Sequence, residues 1–416
     1  MRRHYYKLNM SCLNRSPDVK AFEEYLKENG WGETVFRSRA DLVLFFTCSY
    51  HQYQVEMMVN QIVALRRMMK PTAKLIVGGC LPKIDQESLA RVRDNTIIVC
   101  HDLTQLKNIP GLTSNSAEAT DRSVAELAAP YLLKARETIA ALAVQYQWQL
   151  MARQARVVGV RQVIREKVAN YKHWSGKSFV VVNQGCRRNC SYCAVKFAVG
   201  PLRSRPIDEI VEEVRLELGR GRTKIVLSGD CISDFGLDLD TDFGKLLDAL
   251  AKIEGDLHLE LWNVRPDGVP TFFPQIEALA RSGRLAMIEV PIQSAVPRIA
   301  KIMHRAYDFD DLRERLLALK RYGVVIKTHI IIGYPTETDE EFVASLPVIR
   351  SFTFDLVCFV CYSDMPNTES SKMEGKVDRA AMTRRYLEVR ETDIPHLMIN
   401  AHNDLNLKLS LRKMLA

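Results

Sequence analysis

Ten cysteines stand in this chain, at positions 12, 48, 80, 100, 186, 190, 193, 231, 358 and 361. Cys186, Cys190 and Cys193 spell C-x3-C-x2-C within Gly185-Cys186-Arg187-Arg188-Asn189-Cys190-Ser191-Tyr192-Cys193. Three thiolates this close, on a loop started by a glycine, can wrap one corner of an iron–sulfur cube. Such a cube usually takes four cysteines, so a set of three leaves one iron open to a substrate or cofactor. Arg187 and Arg188 would offset the cluster's negative charge and favour thiolate over thiol. A zinc site short of a ligand and a chance spacing are the alternatives. Disulfides are the weaker explanation in a large chain that reads as cytosolic.

The elements around this motif place it. Ser178-Phe179-Val180-Val181-Val182 is apolar and β-branched and reads as a buried strand. Ile207–Leu218 has helical periodicity, with Pro206 ahead of it and Gly219 at its end. A cluster loop between a strand and a helix is the start of a β/α barrel. Six strands can be read, at about 178–183, 223–228, 257–263, 286–292, 325–332 and 355–362, alternating with helical segments. The expectation is an α/β chain with an incomplete (β/α)6 barrel and its site at the carboxyl ends of the strands.

Composition sets the bounds. The chain has 416 residues, room for two to four domains. Apolar residues make up 47% and charged residues 26%, which excludes a mainly disordered chain. Apolar runs such as Leu42–Phe46 and Ile330–Ile332 fall far short of the ~20 residues of a membrane helix. Basic residues at the N-terminus have no apolar stretch behind them, so no signal peptide is expected. The expected compartment is the cytoplasm, with no membrane partner. Net charge is 58 − 50 = +8, a mild bias toward nucleic acid or an acidic peptide.

The cluster segment resembles the radical S-adenosylmethionine (radical SAM) superfamily. Gln184-Gly185-Cys186 through Cys193, followed by Arg203-Ser204-Arg205-Pro206, resembles the methylthiotransferase family more narrowly. Cys12 in Met10-Ser11-Cys12-Leu13-Asn14, Cys48 at the end of Leu42–Thr47, and Cys80 in Val77-Gly78-Gly79-Cys80 match the family's three N-terminal cysteine motifs. Taken singly, each reads as a small buried residue. As strand ends in an open α/β sheet they lie where ligands bind, and can hold a second three-cysteine cluster. Further matches are Leu227-Ser228-Gly229-Asp230, Pro291-Ile292-Gln293-Ser294, Met303-His304-Arg305-Ala306-Tyr307 and Ile331-Ile332-Gly333-Tyr334-Pro335-Thr336-Glu337-Thr338.

The resemblance implies a flavodoxin-like open parallel sheet over 1–110, a helical basic linker over 111–175, a radical SAM partial barrel over 176–375 and a helical segment over 376–416. It implies two 4Fe–4S clusters, an auxiliary one on Cys12, Cys48 and Cys80 and a SAM-binding one on Cys186, Cys190 and Cys193. One SAM would give a 5′-deoxyadenosyl radical that takes a substrate hydrogen, and a second SAM would methylate the sulfur inserted in its place. A flavodoxin- or ferredoxin-like one-electron reductant is implied as partner. Ser228, Gly229 and Asp230 would hold the SAM amino group, with glycine permitting close approach. Gln293 and Ser294 would meet the ribose and carboxylate region, and Tyr192 would pack by the adenine. Each could instead be a polar strand-end residue facing water.

Several positions depart from the family. Ala295-Val296-Pro297 follows Ser294, and the proline removes a backbone donor. His329 stands in strand five as a substrate contact, a proton acceptor or a hydrogen-bonded core histidine. Cys231 adjoins the SAM loop and reads as a bystander, a substrate contact or a small buried residue. Cys358 and Cys361 lie in one strand on opposite faces, so they read as core, as does Cys100. Residues 121–178 hold ten Lys/Arg against four Asp/Glu, a net +6, as a solvated connector or an element for substrate or self-association. Residues 376–416 are too short for the small β-barrel in which family members usually end. The expected acceptor is therefore a peptide or protein side chain, such as a ribosomally made precursor. A tRNA adenosine and sulfur insertion without methylation are the alternatives.

Overall fold

A computed structural model describes residues 3–100, 177–305 and 307–399. The basic linker, with its capping box at Ser123-Val124-Ala125-Glu126, and residues 400–416 lie outside the described residues. The chain forms two compact units.

The first unit is built on a five-stranded parallel sheet in the order β2-β1-β3-β4-β5. Its strands are β1 (His4–Asn9), β2 (Gly32–Glu33), β3 (Leu42–Thr47), β4 (Lys74–Gly79) and β5 (Ile97–Val99). All six residues of β3 are buried, as a central parallel strand covered on both faces must be. The order reverses between β1 and β3, the topological switch point where open α/β sheets place ligands. Helices Ser16–Glu28 and Gln52–Met68 follow β1 and β3. The expected flavodoxin-like sheet is present.

The second unit holds a seven-stranded parallel sheet. Its strands are β6 (Lys177–Val181), β9 (Lys224–Ser228), β10 (His258–Leu261), β11 (Leu285–Glu289), β12 (Val325–Ile332), β13 (Leu356–Cys361) and β14 (His396–Ile399). Short strands β7 (Asn183–Gln184) and β8 (Arg203–Ser204) bracket the cysteine loop in sequence. Each main strand adds beside its predecessor in one direction. Right-handed crossovers then put every helix on one face, and the sheet curls around the other. The helix-side core draws on Val180, Ile225, Leu227, Leu259, Leu261, Ile288, Ile330, Val357 and Phe359. Phe179, Glu260, Glu289, His329 and Cys358 alternate with these and face the concave side.

Two differences from the sequence reading are informative. Residues 376–416 include not only helix Arg379–Arg390 but also β14, which pairs with β13 in register Val357↔His396. A four-residue edge strand is too short to show periodicity. The sequence also assigns the cysteine loop to the barrel, whereas Gln184–Leu202 and Ser363–Met373 pack within the first unit. Hydrogen bonds inside that unit account for this. Gln52 N donates to Ser363 Oγ at 3.0 Å and Ser370 N to the Ser191 carbonyl at 3.0 Å.

Candidate active site

Both cysteine sets fall in the first unit. Cys12, Cys48 and Cys80 follow β1, β3 and β4, three adjacent strands. Cys12 is exposed, Cys48 half-buried and Cys80 buried. Thr47 laces two of these turns together. Its hydroxyl donates to the Gly78 carbonyl at 2.6 Å and accepts from Leu81 N at 3.1 Å, and its carbonyl accepts from Cys80 N at 3.0 Å. Gly79 has φ +87°, and a Cβ there would lie 2.4 Å from the Thr47 carbonyl oxygen. Only glycine fits. Burial pushes the Cys48 thiol up to about 11, with Cys12 near enough to add to the shift. The Ser49 and Tyr50 backbone N–H groups donate to the Cys48 sulfur and oppose it.

The second set repeats these features. Gly185 has φ +83°, and a Cβ there would lie 1.9 Å from the Pro201 carbonyl oxygen. Cys186 N donates to the Gly200 carbonyl at 3.3 Å, closing the loop. Arg188 N donates to Cys186 Sγ at 3.4 Å, and the N–H groups of Lys196 and Val195 donate to the Cys193 sulfur. Burial pushes the Cys193 thiol up to about 11, with Cys190 and Cys186 adding to it. Tyr192 is half-buried beside them.

The donor sets fit iron–sulfur clusters. Soft thiols with backbone N–H groups aimed at sulfur suit a cluster whose sulfurs carry negative charge. Among the described residues no three His, Cys, Asp or Glu converge on a single ion position. A cube takes one cysteine on each iron.

The expected SAM contacts belong to the second unit. Ser228 ends β9, and its buried hydroxyl has no protein partner among the described residues. Asn183 Oδ1 is likewise buried and without a partner. It lies where a Cβ on Gly229 would come within 2.0 Å of it. Asn183 Nδ2 donates to the Cys231 carbonyl at 2.8 Å, and Asn263 Nδ2 to the Gly229 carbonyl at 3.0 Å. Two acceptor oxygens beside an obligatory glycine fit an ammonium group. Asp230 is half-buried at the same turn. Cys231 is buried, its Sγ 3.6 Å from Ser233 Oγ.

Gln293 takes φ +67° and bridges to β12, its N–H donating to the His329 carbonyl at 2.8 Å. Ser294 is buried, and its hydroxyl accepts from Val296 N at 3.1 Å. That hydroxyl is engaged locally, beside the helix that Pro297 opens at its first position, where no N–H is needed. The M-x-R-x-Y motif braces the same turn. Arg305 donates to the Pro291 carbonyl, and Tyr307 Oη to the Ser294 carbonyl at 3.3 Å.

The His329 side chain meets Glu289 and Cys358. Its Nε2 lies 3.5 Å from Glu289 Oε2, and its side chain is hydrogen-bonded to Cys358. These partners outweigh burial and push its pKa up to about 10. Cys361 packs on the helix-side core, while Cys358 on the opposite face meets His329. The core reading holds for Cys361 and misses the polar neighbour of Cys358. Asn183, Asn263 and Glu289 were not singled out by sequence. Asparagines at strand ends carry no distinctive spacing, and Glu289 is revealed only by register.

Known proteins resemble the chain over both units. A family model described as the Radical SAM superfamily matches residues 180–346. A second, described as Uncharacterized protein family UPF0004, matches residues 5–100. The ribosomal protein uS12 methylthiotransferase RimO of Carboxydothermus hydrogenoformans is 24% identical, covering 93% of this chain and 81% of that protein. The tRNA-2-methylthio-N(6)-dimethylallyladenosine synthase of Syntrophus aciditrophicus is 25% identical, covering 92% and 78%. The chain is similar over nearly its whole length to radical SAM methylthiotransferases. Enzymes of this family carry two 4Fe–4S clusters and use SAM. Among solved structures, the radical SAM methyltransferase TsrM of Kitasatospora setae shares the fold at TM-score 0.52 and 12% identity, covering 89% of this chain and 77% of that one. The radical enzyme OxsB does so at 0.53 and 11%, covering 83% and 52%. No helix among the described residues is long and apolar enough to cross a membrane.

Proposed function

We propose that this enzyme replaces an unactivated C–H hydrogen with SCH3. The reading is carried by two sets of three cysteines in one compact unit, each set leaving one ligand position of a cube open. When bound, the two clusters and SAM supply the reducing electron, the hydrogen-abstracting radical and the methylated sulfur. Cys186, Cys190 and Cys193 would hold one cluster, and Cys12, Cys48 and Cys80 the other. Asn183 Oδ1 and Ser228 Oγ would accept from the SAM ammonium, and Gly229 would keep that corner open. Asp230 and Gln293, in the same unit, would add further cofactor contacts. The protein holds the reacting groups in line and excludes water. A flavodoxin- or ferredoxin-like protein delivers the electron, and the enzyme works in the cytoplasm.

The acceptor we favour is a peptide or protein side chain, as the RimO relative's name indicates for that protein. A tRNA adenosine is the second reading, favoured by the match to tRNA-modifying synthases. Salt dependence of acceptor binding separates them. A tRNA making 6–10 phosphate contacts loses about 10³–10⁵ in affinity between 50 and 200 mM salt, and a peptide shows a shallow slope. Product mass tests the chemistry. A gain of one SCH2 unit supports methylthiolation, and a gain of sulfur alone identifies insertion without methylation.

A further inference from the structure

Three side chains that the cofactor sites do not use meet on the concave face of the barrel sheet. Glu289 ends β11, His329 lies in β12 and Cys358 in β13. His329 and Cys358 are direct register partners in the parallel ladder. The imidazole bonds the Cys358 sulfur and faces the Glu289 carboxylate at 3.5 Å. Glu289 and Cys358 are each only 7% exposed, and His329 is half-buried. Their strand neighbours Ile288, Ile330, Val357 and Phe359 fill the opposite, helix-side core. Apolar packing therefore does not account for the cluster. Lys327 adds a positive charge beside Glu289. A carboxylate orienting an imidazole that bonds a thiol is the arrangement of an activated nucleophile.

We infer that Cys358 is a nucleophilic thiol that accepts sulfane sulfur and carries it as a persulfide on the concave face of the barrel. The inference rests on the methylthiotransferase reading, because every SCH3 product consumes one sulfur atom. In the transfer the Cys358 sulfur, as a thiolate held beside the protonated His329 ring, attacks the outer sulfur of a persulfide R–S–SH. The S–S bond to R breaks, and the departing R–S⁻ takes the proton from His329. One thiol and one persulfide become another thiol and another persulfide, so the step needs no oxidant or reductant. Glu289 holds the imidazole in line and acts as a positioning residue.

The test uses the full chain with both clusters reconstituted. It is incubated anaerobically with isotopically labelled cysteine persulfide, without SAM or acceptor, then alkylated and mapped by peptide mass spectrometry. The expected result is one labelled sulfur on the Cys358 peptide, with Cys100, Cys231 and Cys361 unlabelled. Glu289→Gln and His329→Gln each slow labelling about tenfold, and Cys358→Ser abolishes it. Sulfur spread evenly over Cys100, Cys231, Cys358 and Cys361 of the wild-type chain would overturn the proposal without relying on any variant. So would Cys358 labelling that is indifferent to His329→Gln in a variant that melts like wild type. With SAM and acceptor left out, the result is independent of the product-mass assay. Labelled Cys358 with no methylthio product sinks the function and leaves the thiol site. Methylthio product with unlabelled Cys358 does the reverse.

Discussion

Gln184 Nε2 donates to the Asn14 carbonyl at 3.1 Å, so the residue two before Cys186 is tied to the residue two after Cys12. A second tie runs from Lys83, three residues past Cys80, whose Nζ donates to the Ala198 carbonyl at 3.0 Å. The two cysteine loops are thus joined directly within one unit. Gln184→Leu breaks the first tie without touching a cysteine. The expected outcome is 5′-deoxyadenosine formation within a few-fold of wild type, with product per 5′-deoxyadenosine falling about tenfold or more as alignment loosens. Quantifying both in one quenched reaction checks this.

Thr47 holds the turns of Cys48 and Cys80 through its hydroxyl, which both donates and accepts. Thr47→Val keeps the shape and leaves two buried backbone groups without that partner. A loss of about 1–3 kcal/mol is expected in denaturant unfolding. Iron bound by the Cys12–Cys48–Cys80 set should fall, while 5′-deoxyadenosine formation persists.

Gly229→Ala tests the SAM corner. The new Cβ would lie 2.0 Å from Asn183 Oδ1 and 3.0 Å from the Asn183 carbonyl oxygen. SAM binding by equilibrium dialysis should weaken at least about tenfold while iron content is kept. Asn183→Ala relieves that clash but removes an acceptor, so the double variant should not regain wild-type affinity.

The helix Arg379–Arg390 docks on the loop after β12. Arg385 bonds Glu337 Oε2 at 2.7 Å, the Glu337 carbonyl at 2.8 Å and Asp339 at 2.8 Å. Arg385 and Glu337 side chains are each 4% exposed. Removing one member of such a pair strands a buried charge. Arg385→Met should cost about 3–5 kcal/mol by denaturant unfolding. A loss under about 1 kcal/mol would contradict the clamp.

The His329 pKa is raised to about 10 by Cys358 and Glu289. A raised folded-state pKa gives a contribution fully present below the unfolded value of about 6.5 and lost as pH rises through about 10. The stability gap between wild type and His329→Gln should therefore shrink between pH 7 and pH 10. A gap that grows over that range would show that the ring is neutral.

Much of this was legible in the sequence, for identifiable reasons. Six barrel strands lie where apolar β-branched runs place them, since buried parallel strands leave a continuous signal. The cysteines stood out by spacing and by following strands. Pairings between distant strands were not legible. Nothing near His329 in sequence announces Cys358, because their meeting depends on β12–β13 register. Asn183, Asn263 and Arg385 act through backbone carbonyls of remote turns, and a carbonyl carries no residue signature. β14 is four residues long and is seen only by its pairing.

The central claim is that the two cysteine sets hold separate clusters with separate tasks. The most direct test is iron content and SAM products of the Cys12→Ala/Cys48→Ala/Cys80→Ala variant beside wild type, reconstituted anaerobically and reduced. Wild type should hold about eight irons and form both 5′-deoxyadenosine and S-adenosylhomocysteine, and the variant should hold about four and form 5′-deoxyadenosine alone. About four irons in the wild-type chain, or loss of 5′-deoxyadenosine in the variant, would contradict the claim.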